Sequence, residues 1–536
     1  MPFKYASFLK ISVAGAVLLS VAACKPADKG QGALKSESVA ALNLSKSEAS
    51  IFAKYFQTKP CEIDEMEALG ALAGLGLGES GSNNMKFDSR EFSGGLVTYR
   101  DMVVQDDDAK TDIFRAETVV FHCPGMGDEA PEFARLDLTD AMVRDDGITF
   151  TFGTLNISNP TSDAAAAIVA GMIKPRSGNE GDIGFEAVSV TDVTMQSDEI
   201  FGSLDSLSWG ELRNETGQGK ADLTVGTLDL TIPGQDGAQD MTIDFKGMSA
   251  RQLNIGGKMD AQAALSANGV MGSLVGNLNA FEKPYDELIV ETLKLDSEGF
   301  KVDFGGIEGQ TTETGGVVTT RQSLKPTVIS LKPSLAEVPS FQRNYEIIKS
   351  LGFETVNMSG SSVTTLDNAD DSVSVSDGLF IIEDGFVLNF EYAAEGLKDM
   401  STKAEAMAQA GETPDLMTLY DPLKLRNFRL TMEDNSIVER GLKLASEMTG
   451  QSEKNIKRSL GMAVIAAAMA AENEVQSEVY SETVSAFGEF VKKGGTLTIE
   501  ANPAAPFALS PLISGQGENI DPTTLGFSAR QDGGTE

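Results

Sequence analysis

Two segments, FARLDLTDAMVRDD (133–146) and FEAVSVTDVTMQSD (185–198), share one pattern. Each opens on Phe, carries apolar residues three and five positions later, continues with Thr-Asp and ends on Asp. LVTYRDMVVQDD (96–107) repeats the part around Asp101, so Asp101, Asp140 and Asp192 correspond. A second piece also recurs, as TFGTLNI (151–157) and TVGTLDL (224–230). Apolar residues alternate with polar ones, which is the period of a half-buried strand. The alternation changes parity at the glycine: Ile148, Phe150 and Phe152 share one parity, Leu155 and Ile157 the other. A glycine at a parity change reads as a bulge. The repeated Asp reads as a turn former after a strand.

Later segments, MTIDFKGMSARQLNI (241–255) and LIVETLKLDSEGFKVDFGGIEG (288–309), keep the theme. The region is an irregular series of strand pairs with units of roughly 40 to 55 residues. Such units can stack, each covering its neighbour's apolar face. SDAAAAIVAGMI (162–173) is a helical insert from a Ser cap, closing one end of the sheet or covering an edge.

The expected fold is α+β and β-dominated: elongated or stacked antiparallel sheet repeats, then an α+β C-terminal domain with three consecutive helices. Residues 41–86 form an N-terminal helical segment. SKSEASIFAKYFQ (45–57) has capping-box spacing between Ser45 and Glu48 and an apolar stripe of Ile51, Phe52, Tyr55 and Phe56. A second helix covers Asp64 to Leu75. The β-rich repeats run over 87–310. Residues 311–342, with prolines, many polar residues and no long alternation, read as a linker. The α+β domain is 343–515, and 516–536 a loose polar tail. Within the domain, 379–394 is a hairpin around Glu383-Asp384-Gly385. Helices follow over 436–450, 452–471 and 473–493.

The N-terminus fixes the expected location. Lys4 and Lys10 precede an uncharged stretch, Ile11 to Ala23, then Cys24. That stretch is shorter than the roughly 17–25 residues of a membrane span. Its order is that of a signal peptide: basic start, apolar middle, small residues before a cut. The segment VAAC (21–24) resembles the bacterial lipobox, with Val21 in place of the commoner leucine. The resemblance implies that residues 1–23 are a removed lipoprotein signal peptide and that Cys24 is acylated and becomes the first residue. Residues 24–40 are then a polar tether, and the body faces the periplasm. Lys25, rather than Asp, after the cysteine favours the outer over the inner membrane. An ordinary secretory cut after Ala23, or an uncleaved amphipathic start, is the alternative.

Composition narrows the partners. Lys and Arg total 43 against 79 Asp and Glu, a formal charge of -36. Nucleic acid is excluded, because no basic surface exists to displace counterions from phosphates. Two cysteines remain, Cys61 and Cys123, and an oxidising envelope permits a disulfide between them. Two unpaired buried thiols are the alternative. His122 is the sole histidine. It neighbours Cys123, and strand neighbours point to opposite faces. No GxSxG elbow, HExxH or Cys/His metal spacing occurs. The acidic runs at 106–108 and 367–378 lack EF-hand spacing. Paired carboxylates alone could serve a glycosidase, but the chain has one tryptophan, Trp209, which reads as a partly buried anchor rather than a sugar platform. No catalytic, cofactor or metal residue is expected.

Three pieces of the last third resemble uncharacterised envelope proteins of alphaproteobacteria: Leu351-Gly352-Phe353, FRLTMEDNSIVERGLKLAS (428–446) and GGTLTIEANPAAPF (494–507). The resemblance implies an envelope location without a known chemistry. The β-rich repeats also resemble AsmA-type bridge-like lipid-transfer proteins, which build grooves with an apolar concave face. The expected function is therefore a structural or binding role in the cell envelope, through an envelope protein partner and without catalysis. The alternative is a carrier of lipid or another hydrophobic ligand along an apolar groove.

Overall fold

The computed structural model describes residues 52, 54–57, 61–79, 84–106, 111–127, 130–145, 147–173, 185–197, 200–210, 219–234, 240–256, 283–337, 341–409, 421–459, 462, 478–510 and 524–533. The chain is strand-dominated, its main strand pairings are antiparallel, and it divides into two units near Ser297/Glu298.

The N-terminal unit begins with helix α1 (Glu65–Gly74), whose first turn is capped by Asp64 accepting from the Glu67 N–H at 2.9 Å. Five strands follow: β1 (Ser89–Ser93), β2 (Leu96–Gln105), β3 (Asp112–His122), β4 (Arg135–Asp145) and β5 (Ile148–Ser158). Helix α2 (Ser162–Ile173) is inserted next. It is capped from Thr161, whose hydroxyl accepts from the Ala164 N–H at 3.3 Å. Then come β6 (Ala187–Gln196), β7 (Phe201–Gly210), β8 (Gly219–Val225), β9 (Leu228–Ile232), β10 (Met241–Phe245), β11 (Met248–Gly256), β12 (Glu287–Val290) and β13 (Leu293–Asp296).

These strands form one antiparallel meander. β1 to β7 pair in chain order. Beyond β7 each strand row is two collinear pieces. β7 pairs with β9 through Phe201–Leu204 and with β8 through Leu207–Gly210. β8 and β9 in turn pair with β11 and β10, and these with β12 and β13.

The interruption between the pieces is the feature the repeats encode. Asp101, Asp140 and Asp192 are not turn formers after strands. Each lies inside a strand with a left-handed backbone, φ 51°, 47° and 52°. Asp is among the few side chains that tolerate this region. One left-handed residue shifts the alternation by one, so the apolar side chains before and after it return to the same face. In β2, Val97 and Tyr99 are buried before Asp101, and Met102 and Val104 after it, while Arg100 and Asp101 are both exposed. In β4, Leu136 and Leu138 precede Asp140 and Ala141 follows it, all buried. The register lines these positions into a crease crossing the strands: Asp101, Glu117, Asp140, Gly153, Asp192, Asp205. The recurrent glycines belong to the same line. A Cβ on Gly153 would come within 2.7 Å of the Asp192 carboxylate, and one on Gly226 would come within 3.0 Å of the Ser206 backbone nitrogen. Gly153 brings no extra residue into its strand, since the β4–β5 register is unchanged across it.

The C-terminal unit holds β14 (Phe300–Phe304), β15 (Ile307–Thr314), β16 (Val317–Leu331), helix α3 (Gln342–Ser350), β17 (Thr355–Asp367), β18 (Ser372–Ile382), β19 (Phe386–Glu395), helix α4 (Leu397–Gln409), β20 (Lys424–Asp434), helices α5 (Ile437–Thr449) and α6 (Glu478–Lys493), β21 (Thr496–Ala501) and β22 (Phe527–Asp532). Two expectations are corrected here. The stretch 311–342, read as a linker, contains β16, which pairs with β14, β15 and β17. Its Pro326 falls where the β16–β17 register shifts between Leu324 and Thr327, so the missing N–H costs no ladder bond. The tail 516–536, read as loose, carries β22, which pairs with all of β21. Of the helix expected over 452–471, residues 453–459 and 462 are helical, residue 452 is not, and the others lie outside the described residues. Most of the helix expected over 45–57 lies outside the described residues.

Candidate functional site

The meander of the N-terminal unit has one apolar face with two rows, one on each side of the crease. Cross-strand pairing shows the continuity. On one side Val188 pairs with Trp209, Trp209 with Leu223, and Leu223 with Ala250. On the other Val193 pairs with Leu204, Leu204 with Leu228, Leu228 with Phe245, and Phe245 with Leu293. Over β2 to β4 this face is filled. Ala68 and Leu72 of α1, and Ala165, Val169 and Met172 of α2, join Tyr99, Phe114 and Phe121 in one core. The small side chains of α2 let the helix approach the sheet closely. Burial pushes the Tyr99 phenol up, against the pull of the Arg90 charge. From β5 onward the second row is buried at Leu204 and Phe245 but half-buried at Phe150, Phe152, Val193, Leu230, Ile243 and Leu295.

The opposite face carries the charge of the crease and a strap from the N-terminal segment. Ser158, Ala187, Gly210 and Asp222 share that face by register. Residues 52 and 54–57 lie over them, with Phe52 and Tyr55 buried against Ala187. Ser158 Oγ donates to the Tyr55 carbonyl at 2.7 Å, and Arg135 Nη1 to the Phe56 carbonyl at 2.6 Å. Asp222 is 4% exposed. It accepts from the Tyr55 hydroxyl at 3.2 Å and from the Gln252 N–H at 3.0 Å, with Lys54 Nζ at 3.8 Å. A buried carboxylate is tolerated when it is paired and hydrogen-bonded in this way. Neither Asp222 nor Arg135 stood out in the sequence, because a lone acid in a strand reads as a solvated position.

Cys61 and Cys123 are joined by a disulfide, with Cα atoms 6.0 Å apart, tying the chain before α1 to the end of β3. His122 Nε2 lies 2.7 Å from Asp137 Oδ2, and Arg135 Nε donates to Asp137 Oδ1 at 2.6 Å. The histidine is thus hydrogen-bonded to the same carboxylate as Arg135, the residue that reaches the strap. Cys24 lies outside the described residues. The acidic run at 367–378 serves turns and caps: Asp367 accepts from the Ala369 N–H, Asp371 from the Lys398 N–H at the start of α4, and Asp377 sits inside β18 with φ 52°. Among the described residues no group of three or more His, Cys, Asp or Glu could hold a metal ion, and no helix is long and apolar enough to cross a membrane.

The three C-terminal motif pieces meet at one node. Arg440 of α5 donates to the Leu351 and Gly352 carbonyls at 2.9 and 2.8 Å and stacks over Phe353, 4.6 Å from its centroid. Asp434 caps α5 through the Val438 N–H and donates its own N–H to the Gly495 carbonyl. These contacts position elements and present no reactive group.

A family model described only as "Uncharacterized protein" matches residues 380–532. No curated protein matches the chain.

Proposed function

We propose that the protein is a lipoprotein of the cell envelope, anchored through acylated Cys24 with its body on the periplasmic side, at the outer membrane, and that it binds an apolar ligand rather than transforming one. The observation that supports this reading is the doubled apolar face of the N-terminal unit. Two rows cross the meander from β2 to the pair β12 and β13, and from β5 onward one of them is half-buried at Phe150, Phe152, Val193, Leu230, Ile243 and Leu295, though buried at Leu204 and Phe245. Burial of apolar surface stabilises by about 25 cal/mol per Å², so a half-buried row has free energy left to gain from a chain-like apolar guest. The acidic exterior disfavours adsorption to anionic lipid heads, which makes a covalent anchor useful. The C-terminal unit we read as an α+β domain with three consecutive helices, contributing attachment to an envelope partner.

The structural or assembly reading has its own support in the filled end under α1 and α2, where no guest has room. Mass spectrometry of protein extracted from native membranes separates the two. Copurifying lipid in stoichiometric amount supports the carrier; a lipid-free protein removes it and leaves the structural role. The same measurement reads Cys24: a triacyl mass is expected, and Cys24→Ser is expected to release a folded protein from the membrane. Unmodified Cys24 in membrane-bound protein overturns the anchor.

A further inference from the structure

Outside the buried Leu204 and Phe245, the second apolar row has an outer line. Phe150 pairs with Met195, Met195 with Gly202, Gly202 with Leu230, Leu230 with Ile243 and Ile243 with Leu295. All but Gly202 are half-buried. The line runs beside one edge of the meander, where the β4–β5, β6–β7 and β9–β10 turns fall and where β13 ends. That border is acidic. It reads DDG (145–147), SDEI (197–200), PGQDGAQD (233–240) and DS (296–297), without a Lys or Arg. Asp240 is exposed and Asp296 half-buried. An apolar line with an acidic border fits a guest whose apolar stripe is flanked by cations.

The same face shows the form such a guest takes. Over β2 to β4 it is covered by two helices, α1 and α2, through small and apolar side chains. The spacing of the border suits a further helix lying across the strands. Successive acidic turns are two strands apart, about 10 Å, and seven helical residues rise about 10.5 Å. A helix with a heptad of apolar positions and a basic flank keeps both in step with the sheet.

We propose, resting on the ligand-binding reading above, that the outer line is the docking surface for a basic amphipathic helix of a partner protein, its apolar stripe on Leu230, Ile243 and Leu295 and its Lys or Arg residues along the acidic turns. The test titrates the full chain with a synthetic helix of about three heptads, Leu on the stripe, Lys on the flanks and a benzophenone among the leucines. Crosslinks are expected in β9, β10 and β13. Leu230→Ser/Ile243→Ser and, separately, Asp240→Asn/Asp296→Asn are each expected to weaken binding roughly tenfold. Asp101→Asn/Asp140→Asn removes the same charge from the opposite face and is expected to leave binding unchanged.

Equal weakening by the two Asp pairs means attraction to the formal charge of -36 alone and overturns the assignment. So does crosslinking away from the outer line. Binding of lysophosphatidylcholine without binding of the helix overturns the helix and leaves the apolar-ligand reading standing; binding of neither overturns that reading too. The crosslink map is read on the wild-type protein, so a misfolded variant does not blunt the test.

Discussion

The strands β2 to β4 and β5 to β13 carry the same creased alternation, yet the first group is sealed on both sides of the crease and the second is partly open on one side, though buried at Leu204 and Phe245. Tyr99, Phe114 and Phe121 are fully buried; Val193, Leu230 and Ile243 are not. The difference is made by elements outside the strands, namely α1, α2 and the disulfide that holds the chain before α1. Alternation specifies a face, and coverage specifies what that face is for.

The disulfide is the strongest lever on this contrast. The double variant Cys61→Ala/Cys123→Ala is expected to lose roughly 2–5 kcal/mol, read as a lower urea midpoint. The loss should appear first as exchange of backbone amides in α1, β2 and β3, with β10 to β13 following later. Uniform loss across the unit would erase the distinction between the two groups.

Truncations come next. Leu72→Ala in α1 is expected to cost about 2–5 kcal/mol by leaving a cavity in a closed core. Ile243→Ala, on a half-buried row, is expected to cost about 1 kcal/mol while weakening binding of an apolar probe. Equal costs in the urea midpoints would mean that the open row is as well covered as the sealed one.

The crease itself is tested at Asp140. Asp140→Val forces a β-branched residue into a left-handed backbone and is expected to cost about 1–3 kcal/mol. Asp140→Gly keeps the backbone and removes one charge from an acidic line, so its midpoint should not fall. If both variants fall equally, the carboxylate rather than the backbone is what the site needs.

The smallest effect serves as a control in the other unit. Lys493 beside Glu489 holds its carboxyl below the usual carboxylate range. A depressed folded pKa contributes stability above the unfolded value near 4.3, and that contribution is lost as pH falls through the folded value. Glu489 is 38% exposed, so Glu489→Gln is expected to cost only a few tenths of a kcal/mol at pH 7. Wild type and variant should converge once the pH has fallen through the depressed folded value. A change in ligand binding by this variant is not expected.

Much of the sheet was legible. The apolar alternation at 133–146 and 185–198 located β4 and β6, and Glu383-Asp384-Gly385 located the turn between β18 and β19. The recurrent Asp is visible in the sequence but ambiguous there, because Thr-Asp after an apolar run is also the pattern of a strand end. Only backbone geometry separates a left-handed residue inside a strand from one after it. The same ambiguity hid β16: Pro326 argues against a strand unless it sits at a register shift, and that shift depends on β17, distant in sequence. The strap was not legible at all, since Asp222, Arg135 and Tyr55 come together only through the fold.

The meander also sets a length. Each row pairs with the next in the order of the chain, and rows stand about 4.8 Å apart. Each added hairpin therefore lengthens the apolar face by roughly 10 Å without rerouting the chain. In such a design the number of hairpins is a ruler, and relatives that gain or lose one creased pair would differ in reach while keeping the same cross-section.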